Sequence, residues 1–166
     1  MNTLARFFTR ATAIVALAVA GSAANAADLT TQDYVEIEQL YATYNHAIDS
    51  GDAEAWAATF TPDGSFNTRF TGKEGLVGFI KLWREKMNGA NRRHWNSNLR
   101  ITPSAEGANG TVMLMLLDVS TKPPSIASTG MYTDVLVKTP NGWRFKTRVV
   151  KGDAPPAAAA PTPAKP

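Results

Sequence analysis

Cysteine is missing from all 166 residues, which excludes disulfides, thiolate metal sites and thiol nucleophiles together and leaves packing as the source of stability. Histidine is nearly as scarce. The two present, His46 and His94, have no ligand-spaced neighbours of the kind zinc or iron needs, so no metal and no cofactor is expected. Neither a glycine-rich phosphate loop nor a nucleophile elbow occurs. The formal charge is small as well: +3 overall, and +1 once Arg6 and Arg10 near the start are set aside. Its signs segregate, with acids and no Lys or Arg from Asp28 to Asp63 and a mainly basic stretch from Arg69 to Arg100. Those bases are scattered over a helix and a strand without the aromatic-laced stripe that nucleic acid requires, so no nucleic acid partner is expected.

Only one long apolar run exists, "ATAIVALAVAGSAA", behind the basic segment "MNTLARFFTR". It is short and alanine-rich for a bilayer span, and Ala24-Asn25-Ala26 offers small residues for a signal peptidase, so residues 1–26 read as a secretory leader. An uncleaved anchor is the competing reading. Cleavage implies a periplasmic or secreted protein with no membrane contact afterwards. Residues 152–166, mostly alanine and proline, cannot bury enough surface to offset chain entropy and read as a disordered tail. Residues 27–151 are left as one domain.

Within it, Tyr34, Ile37, Tyr41, Tyr44 and Ile48 recur at intervals of three and four, predicting an amphipathic helix that starts at Thr31 or Asp33, with Glu36 closing a capping box, and stops at Ser50-Gly51. Asp52 should cap a short second helix carrying Trp56 and Phe60, Pro62-Asp63-Gly64 should turn the chain, and a third helix should run from Thr71-Gly72 to about Lys86. Four strand-like segments follow, with turns at Glu106 to Gly110 and at Asn141-Gly142. Helices followed by an antiparallel meander predict an α+β fold. Alternation puts Tyr132 and Asp134 on one face of a strand, and His94, Asn96 and Asn98 on one face of another, opposite Trp95, Ser97 and Leu99.

Three blocks, "YATYNHAIDSGDAEAWAATFTPDGSF", "RRHWNSN" and "GMYTDVLVKTPNGWRFKTR", in this order resemble the SnoaL-like branch of the nuclear transport factor 2-like superfamily, which includes scytalone dehydratase, bile acid dehydratase and polyketide cyclases. The resemblance implies a cone-shaped, curved antiparallel sheet around an apolar pocket, closed by the three N-terminal helices, in a homodimer or homotrimer. It implies a pocket Asp at the end of the first helix facing a strand His, which fall on Asp49 and His94, and a tyrosine five residues before that Asp, which is Tyr44. A second pocket His of the scytalone type is replaced here by Met113 or Met115, and a tyrosine after the second helix by Phe66, Asn67 or Thr68.

Deprotonation beside a carbonyl starts dehydration, isomerisation and aldol closure alike, and needs a near-neutral base in a dry cavity. His94 suits that role, Asp49 would fix its tautomer, and a phenol such as Tyr44 or Tyr132 could donate to the enolate oxygen. The catalytic candidates are thus Asp49, His94 and Tyr44, in a ligand pocket of Tyr41, Trp56, Phe66, Trp83, Asn96 and Tyr132. The expected function is a cofactor-independent enzyme acting on a small apolar carbonyl compound, the rival a non-catalytic ligand-binding or dimerisation module of the same fold. Bland readings stand beside these. Asp49 could be a solvated residue before Ser50-Gly51, although an acid at a helix C-terminus opposes the dipole. His94 could be an exposed strand residue, His46 a solvated one, and Asp134 a partner for His94 or, by preference, a surface charge paired with Arg144 or Arg148.

Overall fold

The computed structural model describes residues 28–153; the leader read at residues 1–26 and the tail from residue 154 lie outside the described residues. Helix α1 spans Thr31–Ser50 and buries Ile37, Leu40, Tyr41, Tyr44, Ala47 and Ile48 along one stripe. Each large side chain in that stripe contributes about 1.5–3 kcal/mol of burial, which outweighs the helix's modest intrinsic propensity. Its cap differs from the expectation. Thr30, one residue earlier, accepts from the Asp33 amide while the Asp33 carboxylate accepts from the Thr30 amide, so Asp33, not Glu36, closes the box. Gly51, left-handed at φ 77°, ends the helix, and the Asp52 side chain caps α2 (Ala53–Ala57).

Strand β1 (Phe60–Phe66) contains Pro62-Asp63-Gly64, which makes a bulge rather than the chain-reversing turn expected: pairing with β6 lapses between Phe60 and Ser65, and Gly64 folds back against Phe60 and Thr61. The reversal comes later, at left-handed Asn67 and Thr68, before β2 (Phe70–Thr71) and helix α3 (Gly72–Lys86). Long strands β3 (Arg92–Ser104), β4 (Gly107–Asp118), β5 (Ser125–Thr139) and β6 (Gly142–Gly152) follow, joined by tight turns after Ser104 and at Asn141. β6 continues one residue into the segment read as tail, because Gly152 pairs with Gly130.

The sheet order is β2-β1-β6-β5-β4-β3. Its meander is antiparallel as predicted, but β1 adds to β6 in parallel, so the sheet is mixed rather than purely antiparallel. Register shifts interrupt four of the strand pairings, which is how a long sheet bends around a core. One face carries Val112, Leu114, Leu116, Tyr132 and Leu136 and packs with α1 and α3 in a single hydrophobic core. The opposite face leaves Trp95, Met113, Met115 and Met131 exposed.

Candidate active site

Two elements bring the central pair together. The last turn of α1 aims Asp49 at β3, and the pairing of His94 with Leu116 turns the imidazole inward with the core. Asp49 then grips the histidine twice: its Oδ1 lies 2.6 Å from Nδ1, and its Oδ2 accepts the His94 backbone amide at 3.1 Å. The second contact fixes the carboxylate against the strand itself, so ring and acid are oriented as a unit. The His94 side chain is 3% exposed and that of Asp49 18%. His94 lines the inner cavity, while both residues also line an outer depression with Asn45, His46 and Arg93. Nε2 makes no hydrogen bond with a described residue, which leaves it as the nitrogen available to a ligand.

That cavity, of about 230 Å³, is apolar over most of its wall: Ile48, Phe66, Phe79, Trp83, Leu114, Leu116 and Val150, with Tyr132, Asn67, Ser128 and Thr129 as polar points. Trp83 sits with its ring centroid 5.9 Å from that of His94.

Of the residues expected in the pocket, Phe66, Trp83 and Tyr132 line the cavity, and Tyr41, Trp56, Asn96 and the candidate donor Tyr44 do not. Tyr44 and Trp56 are completely buried and pack against each other and against Phe60, because an apolar helix stripe fills the core before it lines any space. Asn96 turns to Asn45, its Nδ2 donating to Oδ1 at 3.3 Å. Asn98 leaves the face of His94 altogether. A bulge between Ser97 and Arg100, with Asn98 left-handed at φ 55°, reverses the parity, so Asn98 meets Met113 outside and Leu99 packs toward the core. Met113 and Met115, at the place of a second histidine, point outward; Leu114 and Leu116 are the inward residues of β4. His46 is exposed on α1.

Behind Tyr132 stands a second charged pair. Asp134 is not a surface residue: it and Arg148 have fully buried side chains, joined by Arg148 Nη1 to Asp134 Oδ2 at 3.1 Å, and Tyr41 donates its hydroxyl to the same oxygen at 2.5 Å. The guanidinium carbon lies 3.8, 4.2, 4.5 and 4.8 Å from the ring centroids of Tyr132, Tyr44, Phe145 and Tyr41. Four π faces thus receive a cation whose Nε and Nη2 have no conventional acceptor among the described residues. Gly110 makes the arrangement possible, since a Cβ there would collide with the Tyr41 hydroxyl. Burial pushes the Asp134 carboxyl up to about 6 against the opposing pull of Arg148 and Tyr41. It pushes Tyr44 well above the ordinary phenol range, where the neighbouring Tyr132 adds to it. The sequence pointed to Arg148 as one of two partners for Asp134 and to the shared parity of Tyr132 and Asp134; that the pair is buried inside an aromatic cage had no visible trace.

With this geometry in view, comparison with known proteins identifies the lineage. Residues 29–149 match the SnoaL-like domain. An uncharacterised protein of Mycobacterium tuberculosis is 28% identical over 122 residues, covering 70% of this chain and 83% of that relative. Among solved structures, a Nostoc punctiforme protein of unknown function with a cystatin-like fold is 26% identical with a TM-score of 0.67, covering 76% of this chain and 96% of its own. ActVI-ORFA of Streptomyces coelicolor is 25% identical with a TM-score of 0.64 (75% and 98% covered). A proposed scytalone dehydratase of Novosphingobium aromaticivorans is 25% identical with a TM-score of 0.61 (74% and 85% covered). The chain belongs to the SnoaL-like family, on the curved α+β fold that these relatives share.

Proposed function

We propose that this protein is a cofactor-independent enzyme that removes a proton beside the carbonyl of a small, largely apolar molecule and so drives a dehydration, isomerisation or cyclisation. The observation that carries the reading is the 2.6 Å contact between His94 Nδ1 and Asp49 at the wall of an apolar cavity. A carboxylate on Nδ1 keeps the proton there, leaves Nε2 as the base and stabilises the imidazolium that forms. The donor to the developing enolate is Tyr132, which lines the same cavity, in place of Tyr44, which does not. A volume of about 230 Å³ falls below the roughly 300–1,000 Å³ of drug-sized sites and suits a molecule of one or two rings.

2-Tetralone, a bicyclic ketone with acidic α-protons, tests this directly. Wild-type protein in D₂O should exchange those protons, with the rate followed by proton NMR. His94→Ala should lower the catalysed rate by about 10²–10⁴-fold and Asp49→Asn by about 10²-fold. Exchange that persists in both variants would falsify the mechanism. One observation favours the rival, a module that only holds an apolar ligand: the inward positions of β4 are leucines, so a single imidazole serves the whole cavity. Tight 2-tetralone binding with no exchange would select it.

For the expected self-association we propose the outer sheet face, where Trp95, Met113, Met115 and Met131 form an exposed apolar surface across adjacent strands. Sedimentation should find a dimer or trimer that Trp95→Lys with Met115→Lys dissociates; a wild-type monomer contradicts the proposal.

A further inference from the structure

Tyr132 has two very different environments. Its side chain contributes to the cavity wall, and its ring also lies closer to the caged guanidinium than any other aromatic does, 3.8 Å from the Arg148 carbon. Arg148 does not reach the cavity: it is 0% exposed and absent from the lining. A fixed charge in that position cannot bind substrate, but it can act through the ring it touches. We propose that Arg148 is a positioning residue whose buried charge makes Tyr132 the strong hydrogen-bond donor of the cavity, by favouring negative charge on the phenolic oxygen. The inference rests on the reading of Tyr132 as the group that meets an enolate.

A cation against a phenol ring in a water-excluded site stabilises charge that accumulates in that ring, and with it a strong hydrogen bond from the hydroxyl to an oxyanion. The guanidinium is the right cation because it stays charged where an ammonium would lose its proton. Burial works against its charge, but Asp134 and the surrounding phenols more than compensate and strengthen its hold on the proton. The groups facing Tyr132 are Arg148 from β6, Asp134 from its own strand, Tyr44 and Asp49 from α1, and His94 across the cavity from β3. Burial raises the Tyr132 phenol; Arg148 is the strongest opposing influence, and Asp134 and Asp49 act in the other direction. Asp134 Oδ2 bonds Nη1 and the Tyr41 hydroxyl, while the guanidinium carbon lies over the Tyr132 ring itself; of the two opposed charges, Arg148 has the larger effect on Tyr132. An ion pair serving only to hold β5 to β6 would need no aromatic cage and no contact with the cavity tyrosine.

The test places 3,5-difluorotyrosine at position 132 of the full chain and follows its ionisation by fluorine NMR. Arg148→Met, and Arg148→Met combined with Asp134→Leu so that neither charge is left buried alone, should raise the pKa of that phenol by a unit or more, a tenfold change in phenolate fraction. An unchanged pKa in the folded double variant overturns the proposal. Binding of 6-cyano-2-naphtholate, an enolate mimic, separates this from the underlying reading. Its affinity should fall at least tenfold in Tyr132→Phe and in the double variant, while neutral naphthalene binds as in wild type. A shifted phenol pKa with naphtholate binding indifferent to Tyr132→Phe would sustain the electrostatic link and overturn the role of Tyr132 at the substrate.

Discussion

The two carboxylate pairs nearest the cavity, Asp49 with His94 and Asp134 with Arg148, are built oppositely. Asp49 and His94 meet between an inner cavity and an outer depression, with the carboxylate still 18% exposed. Asp134 and Arg148 are sealed, with no exposed side-chain surface and four aromatic rings around the cation. Imidazole can gain and lose a proton near neutrality and guanidinium cannot, so only the first pair offers a ligand in the cavity a base that it can reach. The sealed guanidinium is a fixed charge. The difference teaches that a buried charge in this fold is not by itself a sign of chemistry; access to a cavity decides which pair can work.

Breaking the sealed pair should cost the most stability. Arg148→Met leaves Asp134 buried without its partner and should lose about 3–5 kcal/mol in urea unfolding, much of it recovered when Asp134→Leu is added. Asp49→Asn should do the reverse: exchange activity falls about 10²-fold while unfolding shifts by no more than about 1 kcal/mol, because the partly exposed amide keeps one bond to the strand. Gly110→Ala forces the Tyr41 hydroxyl off Asp134 and should cost about 1–3 kcal/mol, read in the same unfolding experiment.

Acid titration sharpens the contrast with a third carboxylate, Asp33. The folded Asp134 carboxyl ionises near 6 against an ordinary 3.8, so the stability its protonation contributes is complete below 3.8 and is lost as pH rises through about 6. Asp33 runs the other way. The Lys138 ammonium first, then Thr30 and Trp143, hold it well below 3.8, so its contribution is present above 3.8 and lost as pH falls. Melting temperatures across pH 4 to 6 should therefore fall less steeply, or rise more, in the Arg148→Met/Asp134→Leu variant than in wild type. The smallest expected effect is at the α1 cap: Thr30→Ala should cost about 1 kcal/mol and leave exchange unchanged.

Much of this was legible in local sequence. The alternating intervals of three and four residues defined α1, Gly51 its end, and Asn141 the last hairpin, because each depends on neighbours in the chain. The parallel pairing of β1 with β6 was not legible: it joins residues far apart in sequence, on either side of a Pro-Asp-Gly that interrupts the ladder. One extra residue at the Asn98 bulge was enough to invert a parity argument for Leu99. The Asp49–His94 contact could be anticipated only through the family resemblance, and the cavity wall only in part. A helix stripe marks burial without saying whether a side chain meets another or faces a space, which is why Tyr44 and Trp56 proved to be core and Tyr132 the cavity phenol.

The measurement that bears most directly on the central claim is the tautomer of His94, read from nitrogen-15 NMR of histidine-labelled protein, with His46→Gln to assign the signal. The expected result is a proton on Nδ1, held by Asp49, and an unprotonated Nε2 whose resonance moves when 2-tetralone fills the cavity. A neutral His94 protonated on Nε2, or an Nε2 signal indifferent to the ligand, would contradict it.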